Sequence, residues 1–503
     1  MRILTTEQIR RVESLCFERY YNEAELMLKA GNACADAIIA RYGDDLVNAD
    51  ISVLCGGGKN AGDGFVIARR LFCFGANVQI VLCAGEPTIA EPLGYYNEAV
   101  DSRVPVVNYS DEHTVCDFIV DCMFGIGFHG EPRAPFDRIF KTVAESDAEI
   151  IAIDTPSGTN SATGETCTNC VRADFTIAIS TLKMAHVLPP ANAHCGDVET
   201  VYIGIPEDCY EEEYIKTITE DDVKSYFTKR DKNANKGSFG HQLNICGSYT
   251  MFGAAVIASN AAIRSGAGLV KLMIPESAYP LAAAHLTQPV FKPCKANQQG
   301  TFSADVVKDF DAEKEWADSI VLGCGIGNND DTRILCNHIL KNAECPVIID
   351  ADGINCLSQC INMIKDIKVP AVLTPHPGEM ARLTSKTVAE IQQDRLNIAK
   401  NFARENKIVL VLKGANTVVT DGKSVFVNTT GNPALAMGGT GDMLSGMIGA
   451  FVAQGIEPFN AAKAAVYLHG LCGDLAAEKI SMRGATVSDM TELLGALMSF
   501  GDC

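Results

Sequence analysis

Asp442 closes a run of small residues, Asn432-Pro433-Ala434-Leu435-Ala436-Met437-Gly438-Gly439-Thr440-Gly441-Asp442, that leads into the apolar stretch MLSGMIGAF. Small residues there let backbone N–H groups face a ligand at a helix N-terminus, where the positive partial charge favours phosphate oxygens. A carboxylate beside that anion works against simple binding, so it needs another duty: accepting the proton of a hydroxyl that attacks phosphorus. The structural alternative is an Asp in a first turn that stabilises the helix dipole. Three further segments give context. Lys413, Gly414, Ala415, Asn416 and Thr417 follow the apolar strand IVLVL, and this polar turn could hold an adenosine nucleotide. His376 sits between Pro375 and Pro377, although a lone histidine is more often structural than catalytic. Asp350 and Asp352 close PVIID, where cation binding and helix capping explain them equally well.

A second glycine-rich segment, Gly56 to Gly64, lies between the strand ISVLC and the helix FVIARRLF. It satisfies GxGxxA formally, but the next strand ends Val81-Leu82-Cys83-Ala84 without the acidic residue that a ribose requires. No GK[ST] follows, so it is not a P-loop. Small residues at a strand's carboxyl end can direct N–H groups at an anion, with Asn60 and Asp63 as polar partners; a plain tight turn is the alternative. Two more strands end similarly, with Asp121 near the end of DFIVDC, and with Asp154 then Ser157 after EIIAID. Carboxyl ends of parallel strands share one edge, so Asn60, Asp121, Asp154 and Ser157 can converge there. Their oxygens suit a hard cation, and an Asp beside a substrate can act as acid or base. Each Asp taken alone is a helix cap.

These groups need elements to hold them. Residues 1 to about 45 predict two helices, TTEQIRRVESLCFERY, capped by Thr5 or Thr6, and EAELMLKAGNACADAIIARY, ahead of the first strand. Apolar β-branched runs then alternate with helical stretches, which implies a parallel sheet covered on both faces. The charged stretch from Pro206 to Gly240 has few apolar residues and predicts a connection, with a boundary near 215 to 230. The same grammar resumes beyond it and includes a hairpin in NTVVTDGKSVFVNT. The length of 503 residues also calls for more than one domain, and 47% hydrophobic with 21% charged residues excludes a mainly disordered chain. A net charge of −20 argues against nucleic acid or anionic lipid as partner. The N-terminus lacks a signal-peptide core, and the longest uncharged stretch, Gly237 to Ile263, is too polar to span a membrane, so a cytoplasmic protein is expected. The 20 cysteines are scattered singly, as reduced buried thiols would be; the lone CxxC, Cys167 and Cys170, reads as packing.

GGGKNAGDG, DCMFGIG and IDTPSG, with the early LMLKAG, resemble the N-terminal domain of the NAD(P)H-hydrate epimerases. The resemblance implies a Rossmann-like fold, interconversion of the R and S forms of hydrated nicotinamide dinucleotide, and a potassium ion. It implies substrate contacts from Lys59, Asn60, Ala61, Gly62 and Asp63, and from the loop Gly125, Ile126, Gly127, Phe128, His129, Gly130 and Glu131. By the same token Asn60, Asp121 and Ser157 would hold potassium, and Asp154 would contact the substrate as the acid/base. The family pattern Asn-Asn-Gly-Gly-Asp is altered here by Lys59, whose charge could meet a phosphate, and by Ala61, which tests how much backbone freedom the turn requires.

NKGSFGHQLNICGS, VLGCGIGNN, VIIDADGIN, LTPHPGEMARL, LKGANTVVTDG and GNPALAMGGTGDMLSG resemble the ADP- or ATP-dependent NAD(P)H-hydrate dehydratases, of ribokinase-like fold, over nearly all of the second half. Cys324 replaces the usual proline of the GPG motif. The resemblance implies that Ala254, Gly327, His376 and Asp442 contact the hydrated dinucleotide. It gives Lys413 to Thr417 and Gly441 to the nucleotide, with magnesium as its companion. Asp442 would deprotonate the C6 hydroxyl of the hydrate, which takes a phosphoryl group from ADP; phosphate then leaves and the dihydropyridine is restored. The expectation is therefore two three-layer α/β/α domains, a Rossmann-like epimerase at 1–220 and a ribokinase-like dehydratase at 221–503. The partners expected are hydrated NADH and NADPH, ADP or ATP, and a second copy in a homo-oligomer. Two rivals stand: a ribokinase-type kinase whose phosphorylated product accumulates, and an N-terminal domain that only binds ligand.

Overall fold

The first helix, Thr6–Arg19, starts where Thr5 and Gln8 form a reciprocal capping box, and the second, Glu23–Tyr42, starts at the same device built from Asn22 and Glu25. Both are the helices expected from sequence. One element precedes them: the three-residue strand β1 (Arg2–Leu4), too short for a periodic signal, pairs in parallel with β8 (Leu182–Lys183). The computed structural model describes residues 1–210 and 214–499. The chain falls into two units, Met1–Ile215 and Lys216–Cys503.

In the first unit the strands β2 (Asp50–Cys55), β3 (Asn77–Leu82), β4 (Val106–Asn108), β5 (Phe118–Cys122), β6 (Glu149–Ile153), β7 (Phe175–Ile179) and β9 (Asp197–Val201) form one sheet in the order β4-β3-β2-β5-β6-β7-β9. Every pairing in it is parallel. Alternate side chains enter two separate cores. Val53, Cys55, Val120, Ile151 and Ile153 pack with the helices at 23–42 and 59–74, whereas Leu54, Ile119, Ile150 and Ala152 pack with Phe140 and Val143. The sheet is thus covered on both faces, as its continuous apolar strands require.

The second unit holds β11 (His241–Ile245), β12 (Leu269–Pro275), β13 (Val290–Cys294), β14 (Ser319–Leu322), β15 (Val347–Ile349), β16 (Ala371–Leu373), β17 (Val409–Leu412), β18 (Val418–Thr420) and β19 (Val425–Val427), in the order β13-β12-β11-β14-β15-β16-β17-β18-β19. β17 to β19 are antiparallel, with β18 and β19 forming the expected hairpin. The charged connection is more ordered than its composition implies: Ile215–Thr217 pairs with β19, and Thr219 caps a helix at Glu220–Tyr226. The long helices Thr440–Ala453 and Pro458–Lys479 share a core with Val321, Ile348 and Val372 of the central strands. Among the described residues no helix is long and apolar enough to cross a membrane. Cys167 and Cys170 are both buried, packed beneath Gly158.

Candidate active sites

The carboxyl ends of β2, β5 and β6 meet as sequence spacing proposed. Lys59 to Asp63 do not form an open turn. They are the first residues of the helix Lys59–Phe74, which Gly58 precedes in an extended conformation. Asn60 is buried, and its amide nitrogen donates to Phe124 O at 3.1 Å and to Ile153 O at 3.2 Å, tying the three strand ends together. Ser157 Oγ donates to Asp121 Oδ1 at 2.6 Å and accepts from Phe124 N at 3.0 Å. Ser157 N and Met123 N complete the shell of the Asp121 carboxylate at 2.8 and 3.1 Å. Among the described residues no cationic side chain joins that shell, and burial pushes the carboxyl up to about 6.

Beside this network lies a cavity of about 830 Å³, walled by Lys59, Asn60 and Asp63 from the helix start, Gly125 to Phe128 from the next strand end, and Asp154. Ala61 and Gly62 face inward instead: Ala61 is fully buried in the core, and Gly62 packs on Met27. His129, Gly130 and Glu131 lie beyond the wall, where Glu131 accepts from Thr168 N and Oγ1 at 3.2 and 3.1 Å. Lys59 is paired with Glu23.

Asp154 holds a left-handed φ of 70°, an uncommon conformation for a residue with a side chain. Two residues that sequence reasoning missed fix it there. Lys183, with a side chain 2% exposed, donates to Asp154 Oδ1 and to Ile179 O, the latter at 2.7 Å. His186 Nε2 bonds Asp154 O at 2.8 Å, and burial lowers this imidazole to about 4, so it stays neutral. Glu13 was missed as well; it reaches the cavity from the first helix. Burial, then the Asp154 charge, raises the carboxyl of Glu13, and the same causes in the same order raise Asp63 well above the usual carboxylate range.

In the second unit Gly439, at φ 99°, starts the helix Thr440–Ala453, so Gly441 and Asp442 lie in its first turn. A Cβ on Gly441 would stand 3.2 Å from Lys413 Nζ and 3.6 Å from Asp350 Oδ2, so this first turn lies directly against that ion pair. Lys413 Nζ donates to Asp350 Oδ1 at 2.7 Å, and Ser445 Oγ donates to Asp350 Oδ2 at 2.8 Å. Burial opposes ionisation of Asp350, but Lys413 and Ser445 outweigh it and hold the carboxyl below its usual range. Asp350 therefore caps no helix; its carboxylate is held by Lys413 and Ser445 and lies with Cys324 and Asp442 in a cluster whose ligand atoms are within 4.8 Å of one another. Asp442 differs: burial, then the Asp350 charge, pushes it up to about 6, against a contact from the Cys324 thiol.

The other expected residues divide. Gly327 N donates to Asp352 Oδ2 at 2.8 Å, and the turn Gly323 to Gly327 packs against Met251 and Ala254. Lys413 N donates to Pro375 O at 2.9 Å, which brings the His376 segment alongside. His376 is an N-cap: its Nδ1 accepts from Gly378 N at 3.0 Å and Glu379 N at 3.3 Å, so Nε2 carries the proton. His376 N in turn donates to Glu379 Oε2 at 2.8 Å, and burial pushes the Glu379 carboxyl up to about 7. The H-x-x-E spacing was the signal for that box. Ala415 is exposed, Gly414 at φ 140° packs on Arg395, and Thr417 Oγ1 donates to Gly414 O at 3.0 Å, whereas Lys413 reaches Gly441.

Fold and sites together define a two-site α/β enzyme with a ribokinase-like second unit. A ribokinase-like superfamily protein of Enterococcus faecalis matches this unit with a TM-score of 0.51 and 26% identity, over 58% of this chain and 98% of its own. Residues 243–494 match the NAD(P)H-hydrate dehydratase family, and residues 23–185 match the family described as YjeF-related protein N-terminus. The bifunctional NAD(P)H-hydrate repair enzyme Nnr of Moorella thermoacetica is 31% identical over 98% of this chain and 96% of its own length. Its counterpart in Escherichia coli is 32% identical over 94% and 89%. The chain belongs to this family of bifunctional NAD(P)H-hydrate repair enzymes.

Proposed function

We propose that the first unit interconverts the R and S forms of NAD(P)H hydrate and that the second dehydrates the S form with ADP as phosphoryl donor, giving AMP and phosphate. The observation that carries this reading is the division of labour between two aspartates at one helix start: Asp350 is spent on Lys413, and Asp442 is left to take a proton. A base whose proton affinity lies near neutrality is suited to a hydroxyl nucleophile. Backbone N–H groups at Thr440 and Gly441 face the transferring phosphoryl, and Lys413 lies beneath them. Once phosphorylated, the hydroxyl leaves as phosphate, a far better leaving group than hydroxide. Ala254, Gly327 and His376 border the hydrate's place; His376 Nε2 lies 3.4 Å from Glu379 Oε1, which orients the ring. Magnesium would come with the nucleotide phosphates, and the carboxylates of Asp350 and Asp442, which lie close together beside Gly441, are the residues that would face it.

In the first unit Asn60, Asp121 and Ser157 offer oxygen alone, a donor set for a hard cation, and the buried Asp121 carboxylate lacks a cationic partner that potassium would supply. When bound, the ion would add fixed positive charge beneath the strand-end turns. Asp154, locked by Lys183, acts as acid/base on the hydrated ring. The test is to supply mixed R and S hydrate with ADP or ATP and follow recovery of absorbance near ~340 nm, the signal of the reduced nicotinamide. Full recovery supports both activities; recovery of only the S fraction removes the epimerase, and a phosphorylated product that accumulates removes the dehydratase.

A further inference from the structure

One wall of the epimerase cavity is made by the first helix, which presents Ile9, Arg10, Glu13 and Phe17 to it at a spacing of one helical face. Glu13 is the one carboxyl on that stripe. It stands between Ile9 and Phe17, one turn to either side, and is half-buried. Asp154 enters the same cavity from the end of β6, pinned through Oδ1 to Lys183. The cavity therefore receives two carboxyl groups from different walls, one bound to an ammonium and the other, among the described residues, with no ion pair.

Inverting the carbon that carries the hydroxyl requires a proton delivered where a bond to that carbon breaks and a proton removed where one forms again. A single acid/base serves one face. We propose that Glu13 is the second acid/base of the epimerase, serving the face of the hydrated ring opposite to the one Asp154 serves; the inference rests on the epimerase reading above. In one direction the Glu13 carboxyl gives its proton to the C6 hydroxyl oxygen. The C6–O bond breaks with its electron pair on oxygen, water departs, and the N1 lone pair forms the N1=C6 bond. Water then adds to the other face of C6, the pair returns to N1, and Asp154 takes the proton that water loses. Glu13 ends ionised and Asp154 protonated, the arrangement needed for the reverse direction, and neither oxidant nor reductant is consumed. Burial beside Ile9 and Phe17, then the Asp154 charge, raises the proton affinity of Glu13, the direction a proton donor needs.

The test uses the full chain and its second unit as internal control. R hydrate with ADP is consumed only after epimerisation, whereas S hydrate with ADP requires the second unit alone. Glu13→Gln should lower R-hydrate turnover by about 10²-fold or more, with KM little changed and the S-hydrate rate equal to wild type. Glu13→Asp, which keeps the acid on a shorter arm, should recover part of the loss. In ¹⁸O water without nucleotide, wild type should return epimerised hydrate labelled at the C6 hydroxyl above the enzyme-free rate. R-hydrate turnover at the wild-type rate in Glu13→Gln, or epimerisation without label, overturns the proposal. Failure of wild type itself to consume R hydrate would overturn the epimerase reading instead.

Discussion

The two sites manage buried acid in different ways. In the second unit the counter-charge is part of the chain: Lys413 neutralises Asp350, a residue 63 positions away in sequence, and so frees Asp442 for chemistry. In the first unit Lys183 does the same for Asp154, but Asp121 is satisfied by hydroxyl and backbone donors only, and its charge deficit is the kind a bound cation fills. Proximity of an acid to a ligand is thus a poor guide to its task. What each carboxylate already holds decides whether it is scaffold, cation ligand or base.

The comparison breaks most sharply at Asp442. Asp442→Asn keeps the shape but removes the proton acceptor, so S-hydrate dehydration should fall by about 10² to 10⁴-fold while R/S epimerisation is unchanged. Stopped assays of each reaction decide this, and normal dehydration in the variant would transfer the base role elsewhere. The wild-type profile sharpens the point. Because the ionised form is the active one and Asp442 is raised to about 6, dehydratase kcat/KM should be flat above that pH and fall about tenfold per unit below it.

Lys413→Met is the next largest effect. It leaves Asp350, 1% exposed, as a buried carboxylate without its cation, at a cost of about 3–5 kcal/mol. Urea unfolding of the second unit should register it, and retained stability would mean that Ser445 alone suffices. Replacement of potassium by a bulky organic cation tests the opposite arrangement. Epimerisation should fall several-fold and dehydration should hold, since Asp121 has no lysine of its own among the described residues whereas Asp350 has Lys413. Equal sensitivity in both reactions would erase the distinction between the sites.

Sequence disclosed the parts of these sites that are contiguous. Lys59 to Asp63 follow a strand and Gly439 to Asp442 a glycine-rich loop, each at the start of a helix where composition changes abruptly. It also disclosed most strands of four to seven residues, which are apolar runs with clear edges; Asp197–Val201 and Val290–Cys294, where DVETV and VFKPC mix in charged residues and a proline, escaped it. Lys183 was illegible because nothing in TLKM separates a buried lysine from a surface one; only the fold shows that β8 lays it across from Asp154. Glu13 was hidden for a similar reason, since RRVESL reads as a solvated helix face until a cavity opens along it. The strands at 2–4, 182–183 and 215–217 are too short to carry a periodic pattern, and their pairing partners are remote.

Ala61 provides the finest test. A glycine there, as in the family's Asn-Asn-Gly-Gly-Asp, would be needed if the segment were a turn demanding unusual dihedral angles or close backbone approach. Here Ala61 lies inside the helix Lys59–Phe74, has no positive φ, and points fully buried into the core beside the helix at 23–42. The methyl group favours the helix and fills space, so Ala61→Gly should destabilise the first unit by about 1 kcal/mol and leave the epimerisation rate within twofold. Thermal unfolding and the R-hydrate assay measure the two effects separately. A several-fold gain in rate would show that the methyl group obstructs the ligand, and that the site tolerates Ala61 at the expense of its own chemistry.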